Sequence, residues 1–159
     1  MTMLSLVYRS AWDVALEERP RPQIRGDHDV IVRIHATGVC GTDLGIISGK
    51  YHAKSSIILG HESAGEVIEI GPSVQNLQPG DRVVIDPTYY CGQCKMCRTG
   101  RQNHCLHKST TETGVSSDGT FTDYYVTEDR FLYKLADHVS YEEATLTEPL
   151  SCMLTGINQ

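Results

Sequence analysis

Short apolar runs separated by polar turn residues occupy most of the chain. β-branched and aromatic residues at these runs predict strands at Leu4–Tyr8, Val14–Leu16, Val30–Gly38, Ala64–Ile70, Arg82–Ile85, Phe121–Val126 and Leu132–Lys134. The stretch from Val30 to Ala36 is apolar at most positions, the pattern of a strand covered on much of both faces. Gly71-Pro72, Pro79-Gly80-Asp81 and Ser117-Asp118-Gly119 supply turns between the runs. Several short strands at this spacing predict a mainly β fold, a small barrel or sandwich, without internal repeats or low-complexity segments. Between Thr88 and Lys108 the periodicity disappears, so that stretch calls for an organiser other than an apolar core. From Ser140 the pattern turns helical, with Ser140-x-x-Glu143 spaced as a capping box. The helical pattern runs to Gln159 without a glycine cap, as expected of a helix cut before its end.

Composition sharpens this picture. The 159 residues hold 14 Lys+Arg against 20 Asp+Glu, a net charge of −6, with 40% hydrophobic and 21% charged residues. That is a composition able to bury one core. No apolar run approaches the roughly 20 residues that cross a bilayer. The start MTMLSLVYRSAWD lacks the basic-then-apolar pattern of a signal peptide. Net acidity argues against a nucleic-acid partner, which needs a basic face. Six cysteines stand at 40, 91, 94, 97, 105 and 152, four of them within fifteen residues. Such crowding reads as metal binding in a reducing, cytoplasmic setting rather than as a disulfide framework.

Cys91, Cys94, Cys97 and Cys105 form a C-x2-C-x2-C-x7-C run. Four thiolates suit Zn²⁺ in a closed tetrahedral site, which is structural because it leaves no position for substrate. Binding of the ion would supply the folding energy that this polar stretch lacks. Lys95, Arg98, Arg101 and Lys108 lie in the same stretch, which contains no Asp or Glu, and can stabilise the thiolates. An iron–sulfur cluster is the alternative, since the first three cysteines have ferredoxin spacing, although the fourth does not. A nucleic-acid patch on a zinc ribbon is a second alternative for the four cations, set against the acidic remainder.

Ligand-type residues recur in three separated segments: Val39-Cys40-Gly41-Thr42-Asp43, Gly60-His61-Glu62 and Thr147-Glu148-Pro149-Leu150. Singly, each fits ordinary core or satisfied polar residues. With the four-cysteine lobe they form a longer pattern: GVCGTD at 38–43, ILGHESAGEVIEIG at 58–71, QPGDRVVIDP at 78–87, DGTFTDYYV at 118–126 and TEPLSC at 147–152. This combination resembles the zinc-dependent medium-chain alcohol and polyol dehydrogenases, and Glu148-Pro149-Leu150 is closest to the sorbitol and threonine dehydrogenase branch.

The resemblance implies a GroES-like, partly open β-barrel catalytic domain over residues 1–140, with the structural-zinc lobe at 88–108. Residues 141–159 would begin a helix leading to a cofactor domain absent from this sequence. It further implies that Cys40 and His61 ligate a catalytic Zn²⁺. Glu62 and Glu148 would complete the shell, directly or through a zinc-bound water. A site with an open position can polarise an alcohol as a Lewis acid. Asp43 would accept a hydrogen bond from the far nitrogen of His61 and fix its tautomer. Thr42 would accept the alcohol proton. Many relatives place a relay histidine near this turn, where Gly45 stands here, so His52, Tyr51 or the cofactor ribose would take its part.

Other residues take blander expectations. Cys152, one helical turn after Glu148, reads as a buried helical cysteine, and His104 and His107 as solvated loop histidines rather than substitute ligands. His28, His35 and His138 show no partner in sequence.

No G-x-G-x-x-G occurs, and the glycines at 38, 41 and 45 lack a following helix suited to a dinucleotide. NAD or NADP would therefore be held by a Rossmann domain outside these residues. The expected parent is an NAD(P)-dependent zinc alcohol or polyol dehydrogenase with two Zn²⁺ per chain, inactive as the 159-residue chain alone. The alternative is a stand-alone zinc-binding module without catalysis. Expected partners are a small-molecule alcohol or polyol and copies of the parent in a dimer or tetramer, with neither nucleic acid nor membrane. Without a cofactor domain, the helix from Glu142 onward would expose apolar surface and favour self-association.

Overall fold

The spine of the protein is an antiparallel pair, β3 (Asp29–Gly38) and β5 (Glu62–Ile70), seen in a computed structural model that describes residues 1–108 and 111–158. Gln159, last of the expected helix, lies outside the described residues. Val30, Ile31 and Val32 are fully buried, so the first half of β3 is covered on both faces, as its apolar run predicts. β6 (Arg82–Ile85), β7 (Tyr124–Glu128) and β8 (Leu132–Lys134) complete a five-stranded sheet in the order β7-β3-β5-β6-β8. A second sheet has the order β2-β1-β4, from β1 (Thr2–Ser10), β2 (Asp13–Pro20) and β4 (Ile57–Ile58).

Residues 121–123 join the two sheets. Leu6 N–H donates to the Phe121 carbonyl (2.8 Å), Asp123 N–H to Leu4 (3.2 Å), and Ile34 N–H to Asp123 (2.9 Å). The expected strand Phe121–Val126 is thus divided: its first residues bond chiefly to β1, and ladder pairing with β3 begins at Tyr124. The main core, Val30, Val32, Val67, Val74, Leu77, Val83, Ile85 and Leu132, lies on the five-stranded sheet.

In β2 and α1 the structure departs from the sequence expectation because tertiary contacts outweigh local preference. β2 extends to Pro20 although Glu17, Glu18 and Arg19 are polar; it is an edge strand, and Arg9 and Arg19 bond Glu17 at 2.8 and 3.1 Å. A helix, α1 (Gly41–Ile47), follows the Cys40 turn despite two glycines and two isoleucines. It is held by Ile46, fully buried against Tyr8, Ile57 and Leu59. One turn of helix, α2 (Lys95–Arg98), lies within the four-cysteine stretch.

The expected capping box is present: Glu143 N–H donates to Ser140 Oγ (3.1 Å) and Ser140 N–H to Glu143 Oε2 (2.8 Å). It opens α3 (Tyr141–Ala144), whose Tyr141 ring stacks on His35 at 4.3 Å beneath the Arg82 guanidinium. The helix does not run on unbroken. Pro149 has no N–H to offer the Thr145 carbonyl, and the chain restarts as α4 (Thr147–Ile157). No residue of α4 is buried, and Leu150, Met153, Leu154 and Ile157 are exposed.

Chemical denaturation tests this distribution of core. Ile31→Ala is expected to cost about 2–5 kcal/mol, whereas Leu16→Ala on the exposed edge costs about 0.5 kcal/mol or less. Equal losses would contradict a core centred on β3 and β5.

Candidate metal centres

The β3–β5 register pairs Gly38 with Glu62, so the turn leaving β3 and the turn entering β5 meet at one end of the sheet. Cys40, at the N-cap of α1, then lies beside His61 and Glu62, with one ligand-capable atom of each within 4.8 Å of the others. Two glycines make this approach possible. A Cβ at Gly38 would collide with Glu62 Oε2, so glycine there keeps the room the carboxylate occupies. Gly60 has φ of +91° and packs on Phe121, a conformation other residues adopt only under strain.

Asp43, 0% exposed, fastens the two turns. Its Oδ2 accepts the Cys40 N–H (2.9 Å) and its Oδ1 the Gly60 N–H (3.3 Å). His61 Nδ1 lies 3.8 Å from Asp43 Oδ1, beyond hydrogen-bond distance, and is buried without a partner among the described residues. The expected Asp43–His61 hydrogen bond is therefore replaced by a near approach, because the backbone N–H groups already engage the carboxylate. An imidazole that ligates through Nε2 carries its proton on Nδ1, the orphaned atom facing Asp43. Thiolate, imidazole and carboxylate around such an atom suit Zn²⁺.

His61 also faces a cavity of about 350 Å³, together with Thr42, Tyr51, His52, Lys108 and Glu148. Glu148 comes from α4 and lines this cavity without joining the Cys40–His61–Glu62 group. Tyr51 lies against Gly45, where a Cβ would meet its ring, and lines the cavity with His52. Cys152 is exposed rather than buried as expected, on a helix with no buried residue. Its Sγ donates to Glu148 Oε1 at 3.4 Å, and its thiol pKa is raised by desolvation first and by Glu148 next. Sequence reasoning assigned Lys108 to the cysteine lobe and passed over Glu112, yet both line the cavity.

The four-cysteine lobe is assembled without disulfides. The sulfurs of Cys91, Cys94, Cys97 and Cys105 all lie within 4.8 Å of one another, with Cys94–Cys97 at 3.4 Å and Cys91–Cys97 at 3.9 Å. A tetrahedron with Zn–S bonds of about 2.3 Å has edges of roughly 3.8 Å, so the group fits one ion better than a multi-iron cluster, which spaces its thiolates wider. Backbone N–H groups of Gln93 (3.4 Å) and Cys94 (3.3 Å) donate to Cys91 Sγ; those of Cys91 (3.3 Å) and His107 (3.4 Å) donate to Cys105 Sγ. Backbone donation from Cys97 and Leu106 pulls the Cys94 thiol down to about 6, while burial and the adjacent Cys94 push Cys97 up to about 12. The side chains of His104 and His107 stand outside the sulfur group.

The family model described as alcohol dehydrogenase GroES-like domain matches residues 26–137. D-xylulose reductase A of Aspergillus oryzae is 37% identical over 161 residues, which cover 98% of this chain and 44% of that protein. Sorbitol dehydrogenase 1 of Saccharomyces cerevisiae is 41% identical over 153 residues, covering 92% and 42%. The crystal structure of galactitol-1-phosphate dehydrogenase from Escherichia coli superposes with a TM-score of 0.90 at 30% identity, covering 96% of this chain and 43% of that one. The chain thus spans under half the length of the relatives it matches.

The close approach at Gly38 gives a test of the Cys40–His61–Glu62 group. Gly38→Ala is expected to displace the Glu62 carboxylate and weaken zinc binding there by about 10–100-fold, read by chelator competition, while the four-cysteine site keeps its ion. Unchanged affinity at both sites would remove Glu62 from the metal shell.

Proposed function

The chain belongs to the alcohol dehydrogenase GroES-like domain family, and from that premise we propose that it is the zinc-binding catalytic part of an NAD(P)-dependent alcohol or polyol dehydrogenase. The observation that carries this reading is the meeting of Cys40, His61 and Glu62 beside a cavity that Thr42 and Glu148 also line. Cys40 and His61 would hold the catalytic Zn²⁺. Glu62 completes the set as the protein stands, and Glu148 faces the same cavity as a second carboxylate able to join it directly or through water. The chemistry that a Zn²⁺ supplies at such a centre is Lewis acidity, which lowers the pKa of an alcohol hydroxyl toward neutrality.

The chain's own residues do the rest. Thr42, next to Cys40 at the start of α1, accepts the proton leaving the substrate hydroxyl. Tyr51 and His52, both on the cavity wall, give that proton a route to solvent in place of a side chain at Gly45. Asp43 keeps the His61 ring and the Cys40 turn in mutual register. Cys91, Cys94, Cys97 and Cys105 hold a second Zn²⁺ that is structural, making two ions per chain. NAD or NADP, the acceptor such a reaction would require, would be held by a domain outside these residues, which carry no Gly-rich dinucleotide fingerprint. The implied setting is a cytoplasmic dimer or tetramer. Among the described residues no helix is long and apolar enough to cross a membrane.

Cobalt substitution tests the open site. Adding a secondary alcohol to the Co²⁺-loaded protein is expected to shift its visible absorption, and Cys40→Ser to abolish the shift while keeping the four-thiolate spectrum. A spectrum indifferent to alcohols would favour a structural zinc module. The 159-residue chain alone is expected to give no nicotinamide reduction; turnover by this chain unaided would overturn assignment of the cofactor to another domain.

A further inference from the structure

Buried hydroxyl groups that the chemistry above does not use gather where the ends of β3 and β5 meet. Thr120 is 0% exposed and Ser63 1%. Thr120 bonds in three directions. Its N–H donates to the Gly60 carbonyl (3.0 Å), its carbonyl accepts from Thr37 Oγ1 (3.1 Å), and its Oγ1 accepts from Ser63 Oγ. Each partner adjoins a residue on which the Cys40–His61–Glu62 group depends. Gly60 precedes His61, Ser63 follows Glu62, and Thr37 precedes Gly38, which leaves room for the Glu62 carboxylate. The residues flanking Thr120 continue the seam: Gly119 N–H donates to the Ile58 carbonyl (2.7 Å) and Phe121 N–H to that of Leu59 (2.8 Å).

Thr37 and Ser63 are paired across β3 and β5, one step along from the Gly38–Glu62 pair. Side chains alternate between the faces of a sheet, so the hydroxyls hold one face of this strand end while the Glu62 carboxylate stands on the other. A buried hydroxyl is costly unless bonded, and valine would fill the volume of Thr120 without that requirement. Volume alone therefore does not call for hydroxyls at 63 and 120, whereas a directional link does. We infer that Thr120 is a positioning residue for the metal centre. Through Gly60, Ser63 and Thr37 it fixes the backbone on both sides of His61 and Glu62, and so the place of the imidazole and the carboxylate beside Cys40. Gly60 is then held at both its polar groups, the N–H by Asp43 and the carbonyl by Thr120. Asp43 sets the separation of the two turns, and Thr120 ties the His61–Glu62 turn to the sheet. This inference rests on the Cys40–His61–Glu62 centre proposed above.

Chelator competition on the zinc-loaded protein and the visible spectrum of its Co²⁺-loaded form test this on three variants. Thr120→Val keeps the volume and removes the hydroxyl. It is expected to weaken metal binding at Cys40–His61–Glu62 about tenfold and to alter the Co²⁺ absorption of that site, while the four-cysteine site keeps its affinity and spectrum. Thr120→Ser, which keeps the hydroxyl, is expected to restore both. Ser63→Ala removes the partner hydroxyl and leaves Thr120 in place; the same selective loss is expected, and this variant decides the matter if Thr120→Val does not fold. A merely structural role would lower the melting temperature of Thr120→Val and leave the affinity and spectrum of the Cys40 site unchanged. That result, equal weakening at both metal sites, or a Thr120→Ser variant as weak as Thr120→Val would overturn the inference and leave the metal centre standing. A wild-type protein that binds metal only at the four cysteines would overturn both.

Discussion

The buried carboxylate of Asp43 is the constraint on which the site depends. A carboxylate removed from water is costly unless its oxygens are engaged, and here each accepts a backbone N–H, from Cys40 and from Gly60. Those N–H groups belong to the two turns that carry the ligand-type side chains. The hydrogen bonds that satisfy the charge therefore also set the distance between Cys40 and His61. The β3–β5 register brings the turns to the same end of the sheet, and Gly38 and Gly60 let the chain pass closely enough. Sheet pairing, turn geometry and the buried charge specify one arrangement among them.

The two cysteine-containing groups differ in what surrounds them. Around Cys91, Cys94, Cys97 and Cys105 every ligand is a thiol, and backbone N–H groups turn toward the sulfurs of Cys91, Cys94 and Cys105. The group at Cys40, His61 and Glu62 mixes three ligand types and borders a cavity. The lobe also has a positional consequence, since its last residues bring Lys108 to that cavity, while α4 brings Glu148 from the other end of the chain.

Much of the fold is legible in the sequence where burial is decisive. β3, β5, β6 and β8 read clearly because apolar runs face a core, and the Ser140–Glu143 capping box because its chemistry is local. β2 is less legible because its outer half carries ion pairs, one across to Arg9 on β1 and one along the strand to Arg19, rather than buried apolar residues. α1 is hidden because its residues disfavour a helix, and packing of Ile46 against Tyr8, Ile57 and Leu59, with the Asp43 carboxylate capping the Cys40 N–H, overrides that preference. The break before α4 follows from Pro149, a signal present in the sequence and masked by the helical periodicity around it. At the site, the spacing of four cysteines carries its own chemical meaning, whereas Cys40, His61 and Glu62 gain theirs from long-range pairing that no local pattern reports. Lys108 and Glu112 were illegible because a loop far from β3 in sequence brings them to the cavity.

Elemental mass spectrometry of the protein purified without added metal tests the central claim most directly. Two zinc ions per chain are expected in the wild type and one in Cys40→Ser, with the fold unchanged. One ion in the wild type, retained in Cys40→Ser and lost in Cys97→Ser, would contradict a catalytic centre at Cys40, His61 and Glu62.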